Sequence, residues 1–174
     1  RKKTRSMGRV ALLAMIASER ALRDADLLDD PVLGSGAAGV AYGSSTGSTA
    51  AAADMANFLL NRDMGKITAT TYIRMMAHTA AVNIGVYFGL KGRVYTTSSA
   101  CTSGSQGIGY AYEAIKHGQQ TIMLAGGAEE LCPTEAACVA MLLRSPVGVA
   151  DHAPRAAACP IFWALYAFEI AFAA

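Results

Sequence analysis

The stretch that most constrains this chain is RVYTTSSACTSGSQGIG, Arg93 to Gly109. It opens with β-branched and aromatic residues, Val94, Tyr95, Thr96 and Thr97, which predict a strand buried on at least one face. Small residues follow, and then a cysteine, Cys101. Beyond it, Ile108, Tyr110, Ala111, Tyr112, Ala114 and Ile115 predict a helix running to about Lys116. A cysteine on such a strand-to-helix turn meets the positive end of a helix dipole and free backbone N–H groups, and both favour negative charge at the sulfur. Small neighbours allow a sharp turn and a close approach by substrate. Elbow turns of some acyl-transfer enzymes present their nucleophiles this way. The competing reading is a small buried hydrophobe, the commonest role of an intracellular cysteine.

Around this turn the chain alternates helices and strands. Met7, Val10, Ala11, Ala14, Ala17, Ser18 and Ala21 repeat at helical spacing, in a helix ending near Ala25. Residues 27–36 read as a loop and residues 38–42 as a short strand. Residues 49–60 read as a helix, 72–88 as one long apolar helix and 121–125 as a strand. The order predicts an α/β layered fold with helices packed on a mixed sheet. The Gly/Ser loop after residue 42 lacks the Lys-Ser/Thr end of a P-loop and the spacing of a dinucleotide site.

Composition narrows the function classes. A formal net charge of +2, without interleaved aromatic and basic residues, argues against nucleic acid. Cys132, Cys138 and Cys159 show neither disulfide-scaffold nor zinc-finger spacing, so no metal site is expected, and they read as thiols of a reducing cytoplasm. RKKTR followed by an amphipathic pattern predicts no signal peptide. His78 reads as a core or interface residue of the long helix, and His117 as a helix C-terminal residue favoured by the dipole. Glu129 and Glu130, adjacent in an extended segment, point opposite ways and form no paired acid/base site.

TSSACTSGSQGIGYAYEAI resembles the active-site segment of the β-ketoacyl-acyl-carrier-protein synthases, members of the thiolase-like superfamily. AGGAEELC, Ala125 to Cys132, and YGSSTGS, Tyr42 to Ser48, resemble two further strand-and-loop segments of that family, in its order. The likeness runs from about Lys2 to Val139 and is nearest to the condensing enzymes of dissociated fatty-acid synthesis. It implies a thiolase-like α-β-α-β-α fold, of which this chain is mostly the first half, less an opening strand. Residues 1–139 are then a partial N-terminal domain, and residues 140–174 an unaligned tail. His152 lies in that tail outside any family motif. The apolar run from Ile161 to Ala174 is too short for a membrane span of roughly 20 residues. It reads as a buried helix, an unpaired core segment, or sequence altered by truncation or frame error.

The resemblance implies a decarboxylating Claisen condensation, without a cofactor, between acyl and malonyl thioesters of an acyl carrier protein, in a cytoplasmic homodimer. Cys101 is the implied nucleophile, and its backbone N–H one oxyanion donor. The family's second donor lies in a Gly-Phe-Gly segment of the second half, which also supplies two histidines and a lysine for decarboxylation. The carry-over of catalytic groups therefore ends at Cys101. Thr97, Ser98, Ser99 and Ala100 match the strand that lines the pocket and approaches the two-fold axis. Lys2, Arg5 and Lys66 fall where related synthases contact the carrier, with Arg62 near them. Two alternatives remain: a non-catalytic truncated paralogue acting in dimerisation or interaction, and a cysteine hydrolase, for which His78 and His117 are poorly placed. Cys101 itself argues against a chain-length-factor subunit.

Overall fold

The computed structural model describes residues 3–133, residue 141 and the backbone of residues 168–173. Three parallel strands form the centre of the sheet: β1 (Ala38–Gly43), β2 (Val94–Thr97) and β3 (Ile122–Gly127). A fourth, β4 (Phe168–Ala173), runs antiparallel beside β3, giving the order β2-β1-β3-β4. The sheet is mixed, as expected, and four strands are present among the described residues. The tail residues 168–173 are extended and paired, neither helical nor unpartnered. Apart from residue 141, the rest of the tail, with His152, Cys159 and the first part of its apolar run, lies outside the described residues, as does Cys138.

The period-two alternation of the strands sorts two apolar clusters. Ala38, Val40 and Tyr42 of β1 and Leu124 of β3 face helices α1 (Arg9–Asp24) and α4 (Thr79–Phe88), packing with Val10, Ala14, Leu22, Ala81 and Ile84. Ala41, Met123 and Ala125 face α5 (Ser103–Lys116), packing with Ala111 and Ala114. The layers are thus α1 and α4, sheet, then α5. The α1 face expected from the sequence is buried at Met7, Val10, Ala11, Ala14 and Ser18, and extends to Met15 and Leu22.

The α5 side of the sheet is built from residues with almost no side chain, and this decides how closely the helix sits. A Cβ on Gly107 would lie 2.8 Å from Ala41 O and 3.2 Å from Gly126 O. A Cβ on Gly127 would lie 2.7 Å from Gly104 Cα. Real side chains at these positions would push α5 outward. The glycines let its first turn rest directly on the ends of β1 and β3.

One long helix expected over residues 72–88 is in fact two, α3 (Thr71–Met75) and α4. The loop after β1 causes the break. Gly47, with φ +71, crosses so near that a Cβ would lie 2.8 Å from Met76 C. Ser48 N–H donates to Arg74 O at 3.1 Å, taking a carbonyl that a continuous helix would use internally. Met76 is extended, and Thr79 Oγ1 restarts the helix by donating to Met76 O at 2.7 Å. Met75 and Met76 are half-buried and Val82 is exposed, so this segment is less of a core element than its apolar composition suggests. His78 precedes α4 as an exposed residue and makes no cap hydrogen bond with its side chain.

Candidate active site

Because β1, β2 and β3 are parallel, the loops that leave them gather at one edge of the sheet. These are the segments 44–48, 98–102 and 128–130. The carboxyl ends of parallel strands are where α/β folds commonly place their ligand-handling groups.

Cys101 stands on the second of these loops and is exposed. It comes one residue before Thr102, the N-cap of α5. Ala100, immediately before it, has φ +51, in the left-handed region that alanine rarely enters. Hydrogen bonds hold the turn from within. Ser103 Oγ donates to Ala100 O at 2.6 Å and accepts from Ser99 N–H at 2.9 Å. Thr102 Oγ1 donates to Ser99 O at 2.7 Å, and Thr97 Oγ1 donates to Ser103 O at 2.7 Å. The N–H groups of Thr102 and Ser103 donate to Ser99 O and Ala100 O at 3.2 and 3.1 Å. The helix start expected from sequence is therefore in place, with the cysteine projecting from it.

Of the four residues before Cys101, Ser98 and Ala100 are exposed, Ser99 is half-buried, and Thr97 is buried with its hydroxyl committed to Ser103. β2 is the outer strand of the sheet. Its inner face is carried by Tyr95 and Thr97, while Val94 and Thr96 are exposed.

The other two loops are tied to this one. Ser44 N–H donates to Thr97 O at 3.2 Å, and Ala128 N–H donates to Gly43 O at 3.0 Å. Glu129 accepts from Ser45 N–H, and from Ser44 Oγ and Thr46 Oγ1 at 3.3 Å each. Glu130, buried, accepts from Thr49 N–H at 2.6 Å and from Thr49 Oγ1, at the start of α2 (Thr49–Asn61). The two glutamates thus do not diverge as an extended segment would require. Both reach the same stretch, residues 44–49. The sequence offered one signal for this: two acidic residues just past a strand that must end beside a hydroxyl-rich loop.

The remaining candidates are dispersed. Arg62 caps α2 in a left-handed conformation, φ 58, and shares one exposed turn with Lys66. Arg5 is exposed on the separate segment before α1, and Lys2 lies outside the described residues. His117 is the exposed C-cap of α5, and neither it nor His78 enters the hydrogen bonds around Cys101. Cys132 is a free thiol of intermediate exposure. Among the described residues no three His, Cys, Asp or Glu side chains gather as a metal site would need, and no helix is long and apolar enough to cross a membrane. A cleft of about 600 Å³, lined by Lys3, Arg23, Asp29 and Tyr87, opens at the opposite edge, where the strands begin. Its cations are engaged: Arg23 with Glu19 at 2.7 Å, and Lys3 over the Tyr87 ring at 5.4 Å.

Known proteins share this fold. A crystal structure of a β-ketoacyl synthase from Burkholderia phymatum STM815 superposes with TM-score 0.79 and 50% identity, covering 86% of this chain and 36% of that one. AntDE:AntF, a type II polyketide ketosynthase in complex with its acyl carrier protein, superposes with TM-score 0.69 over 83% of this chain and 40% of that one. At 23% identity that likeness shows the fold alone. The 3-oxoacyl-acyl-carrier-protein synthases 1 of Haemophilus influenzae and Escherichia coli K12 are each 32% identical over 139 residues. Those residues are 78% and 79% of this chain and 34% of each relative, so the chain spans about a third of their length. The fold is the thiolase-like α/β one, in part. With residues 1–147 matching the family described as Beta-ketoacyl synthase, N-terminal domain, the chain belongs to the β-ketoacyl synthase family.

Proposed function

We propose that this chain carries the nucleophile of a 3-oxoacyl-acyl-carrier-protein synthase acting in fatty-acid synthesis. The observation that carries the reading is the exposed Cys101 on a strained turn immediately before α5, inside the segment that matches the family. The Cys101 sulfur attacks the carbonyl of an acyl-carrier thioester, and the carrier thiol leaves. The Cys101 N–H serves as one oxyanion donor. A malonyl thioester then loses carbon dioxide. Its carbanion attacks the acyl-cysteine carbonyl, forming the carbon–carbon bond and expelling the Cys101 thiolate. No cofactor enters this sequence of steps.

Ser98, Ser99 and Ala100 form the pocket wall and approach to the dimer axis, with Thr97 bracing them from behind through Ser103. Lys2, Arg5, Arg62 and Lys66 offer positive charge to an acidic acyl carrier protein. The full enzyme works as a cytoplasmic homodimer. Residues 1–139 belong to the catalytic domain, and the tail that follows adds β4 to the same sheet. The second oxyanion donor and the decarboxylating histidines and lysine are not among this chain's assigned groups. The 174-residue chain by itself therefore yields no β-ketoacyl product, because groups of a shared catalytic unit do not act additively.

Intact-mass analysis after incubation of the full-length protein with an acyl-carrier thioester tests this. One acyl adduct at Cys101, absent in Cys101→Ala, is expected. An unmodified Cys101 would favour the interaction-protein reading. A product assay on the 174-residue chain tests the second statement, and steady turnover abolished by Cys101→Ala would overturn it.

A further inference from the structure

Ala100 has no intrinsic reason to sit at φ +51. It lacks the freedom of glycine and the local hydrogen bonding of asparagine, so surrounding groups must hold it there. The groups that do so converge on one side chain. Ser103 Oγ donates to Ala100 O at 2.6 Å, beyond the strained residue, and accepts from Ser99 N–H at 2.9 Å, before it. Ser103 N–H adds a second bond to Ala100 O at 3.1 Å. Ser103 is itself immobilised. It is 3% exposed, its carbonyl accepts from Thr97 Oγ1 at 2.7 Å, and its backbone rests so closely on Gly43 that no Cβ fits there. Thr102 Oγ1, the other hydroxyl of the turn, is exposed and reaches only Ser99.

We propose that Ser103 is the positioning residue of this site: its hydroxyl brackets Ala100, holds it left-handed, and so projects Cys101 outward from the start of α5. The consequence for catalysis rests on the reading of Cys101 as the nucleophile. The positioning itself does not, because it acts on any reaction of the Cys101 sulfur.

The test is the rate at which iodoacetamide alkylates Cys101 in the 174-residue chain, followed by peptide mass, with Cys132 in the same molecules as internal reference. Ser103→Ala should slow Cys101 about tenfold, the rate equivalent of the strain to be held, and leave Cys132 within about twofold. Ser103→Thr keeps the hydroxyl and should return the rate to within about threefold of the parent. Glycine takes positive φ freely, so in an Ala100→Gly background the Ser103→Ala loss should shrink to about threefold or less. A purely structural serine would give the same fold-loss in both backgrounds. That result, or an unchanged Cys101 rate in Ser103→Ala, would overturn the proposal. If Ser103→Ala does not fold, Thr97→Val, which frees the Ser103 carbonyl, is compared in the two backgrounds by the same criteria. Acylation by an acyl-carrier thioester on the full-length protein reads the other question. Alkylation that behaves as expected, with no acyl adduct at Cys101, would remove the nucleophile reading and leave the positioning intact.

Discussion

Glu129 accepts the backbone N–H of Ser45, 84 residues earlier in the chain. With the bonds from Ser44 and Thr46, this one carboxylate closes the loop after β1 against the end of β3. Ser44 N–H in turn holds Thr97 O, at the base of the Cys101 turn. Glu129→Ala should therefore lower unfolding stability by about 1–3 kcal/mol, the range for losing charge-assisted bonds that leave a partly buried donor unpaired. Glu129→Gln, which retains one acceptor oxygen, should lose less. Urea denaturation compares the two, and equal losses would contradict the clamp.

Glu130 serves the start of α2 in the same manner, through Thr49 N–H and Oγ1. Ser48 makes no cap hydrogen bond with its side chain, so Glu130 replaces the missing cap from a distant segment. Glu130→Ala should expose the first-turn amides of α2 to rapid hydrogen exchange while α1 stays protected. Unchanged exchange at Thr49 would remove this role.

Two glycines of α5 should respond in opposite directions. Gly107 faces the sheet, and its added Cβ would press on Ala41 O and Gly126 O. Gly107→Ala should destabilise by about 1–3 kcal/mol, although alanine is the better helix former. A methyl group added at Gly109 would meet nothing within 4 Å. Gly109→Ala should stabilise by about 0.5–1 kcal/mol. Thermal melts of both variants give the comparison, and a matching sign would mean that α5 does not lie this close to the sheet.

Asp63 orders the turn that carries Arg62 and Lys66. Its carboxylate accepts from Gly65 N–H at 2.8 Å and from Asn57 Nδ2 at 3.2 Å. The Gly65 bond foremost, then Asn57, with a smaller contribution from Lys66, holds it below the ordinary aspartate range. A depressed carboxylate orders the turn fully above that range, and the order is lost as pH falls through its lowered value. The Gly65 amide shift, followed by NMR, should titrate at a lower pH than that of a free aspartate. Asp63→Asn should abolish the transition. A midpoint at the ordinary value would show that the bonds do not persist in solution.

Carrier docking is checked by charge reversal in the full-length protein. Lys2→Glu with Arg5→Glu, or Arg62→Glu with Lys66→Glu, should raise KM for the carrier-bound substrate about threefold to tenfold and weaken its salt dependence. Values of kcat should hold. Unchanged kinetics across salt would count against these residues.

The sequence by itself determined the elements whose signal is local. The apolar spacing of α1, the β-branched run of β2 and the small-residue turn into α5 each depend on neighbours within a few positions, and each forms close to where the pattern places it. Cys101 at the foot of α5 was legible for the same reason. Tertiary contacts decided the rest. Residues 72–88 carry a continuous helical pattern, yet Gly47 and Ser48, far away in sequence, divide them by close packing and by taking the Arg74 carbonyl. Glu129 and Glu130 would diverge on a regular strand, but the hydroxyls and amides of residues 44–49 draw both to one side. Ala100 takes a left-handed conformation that alanine disfavours, because Ser103 holds both its flanks while anchored to the sheet. For the helix break and the two glutamates the deciding partner is a distant polar group brought near by the sheet, which no window of local sequence contains; for Ala100 the bracket is local, and only the seating of Ser103 against Gly43 is not.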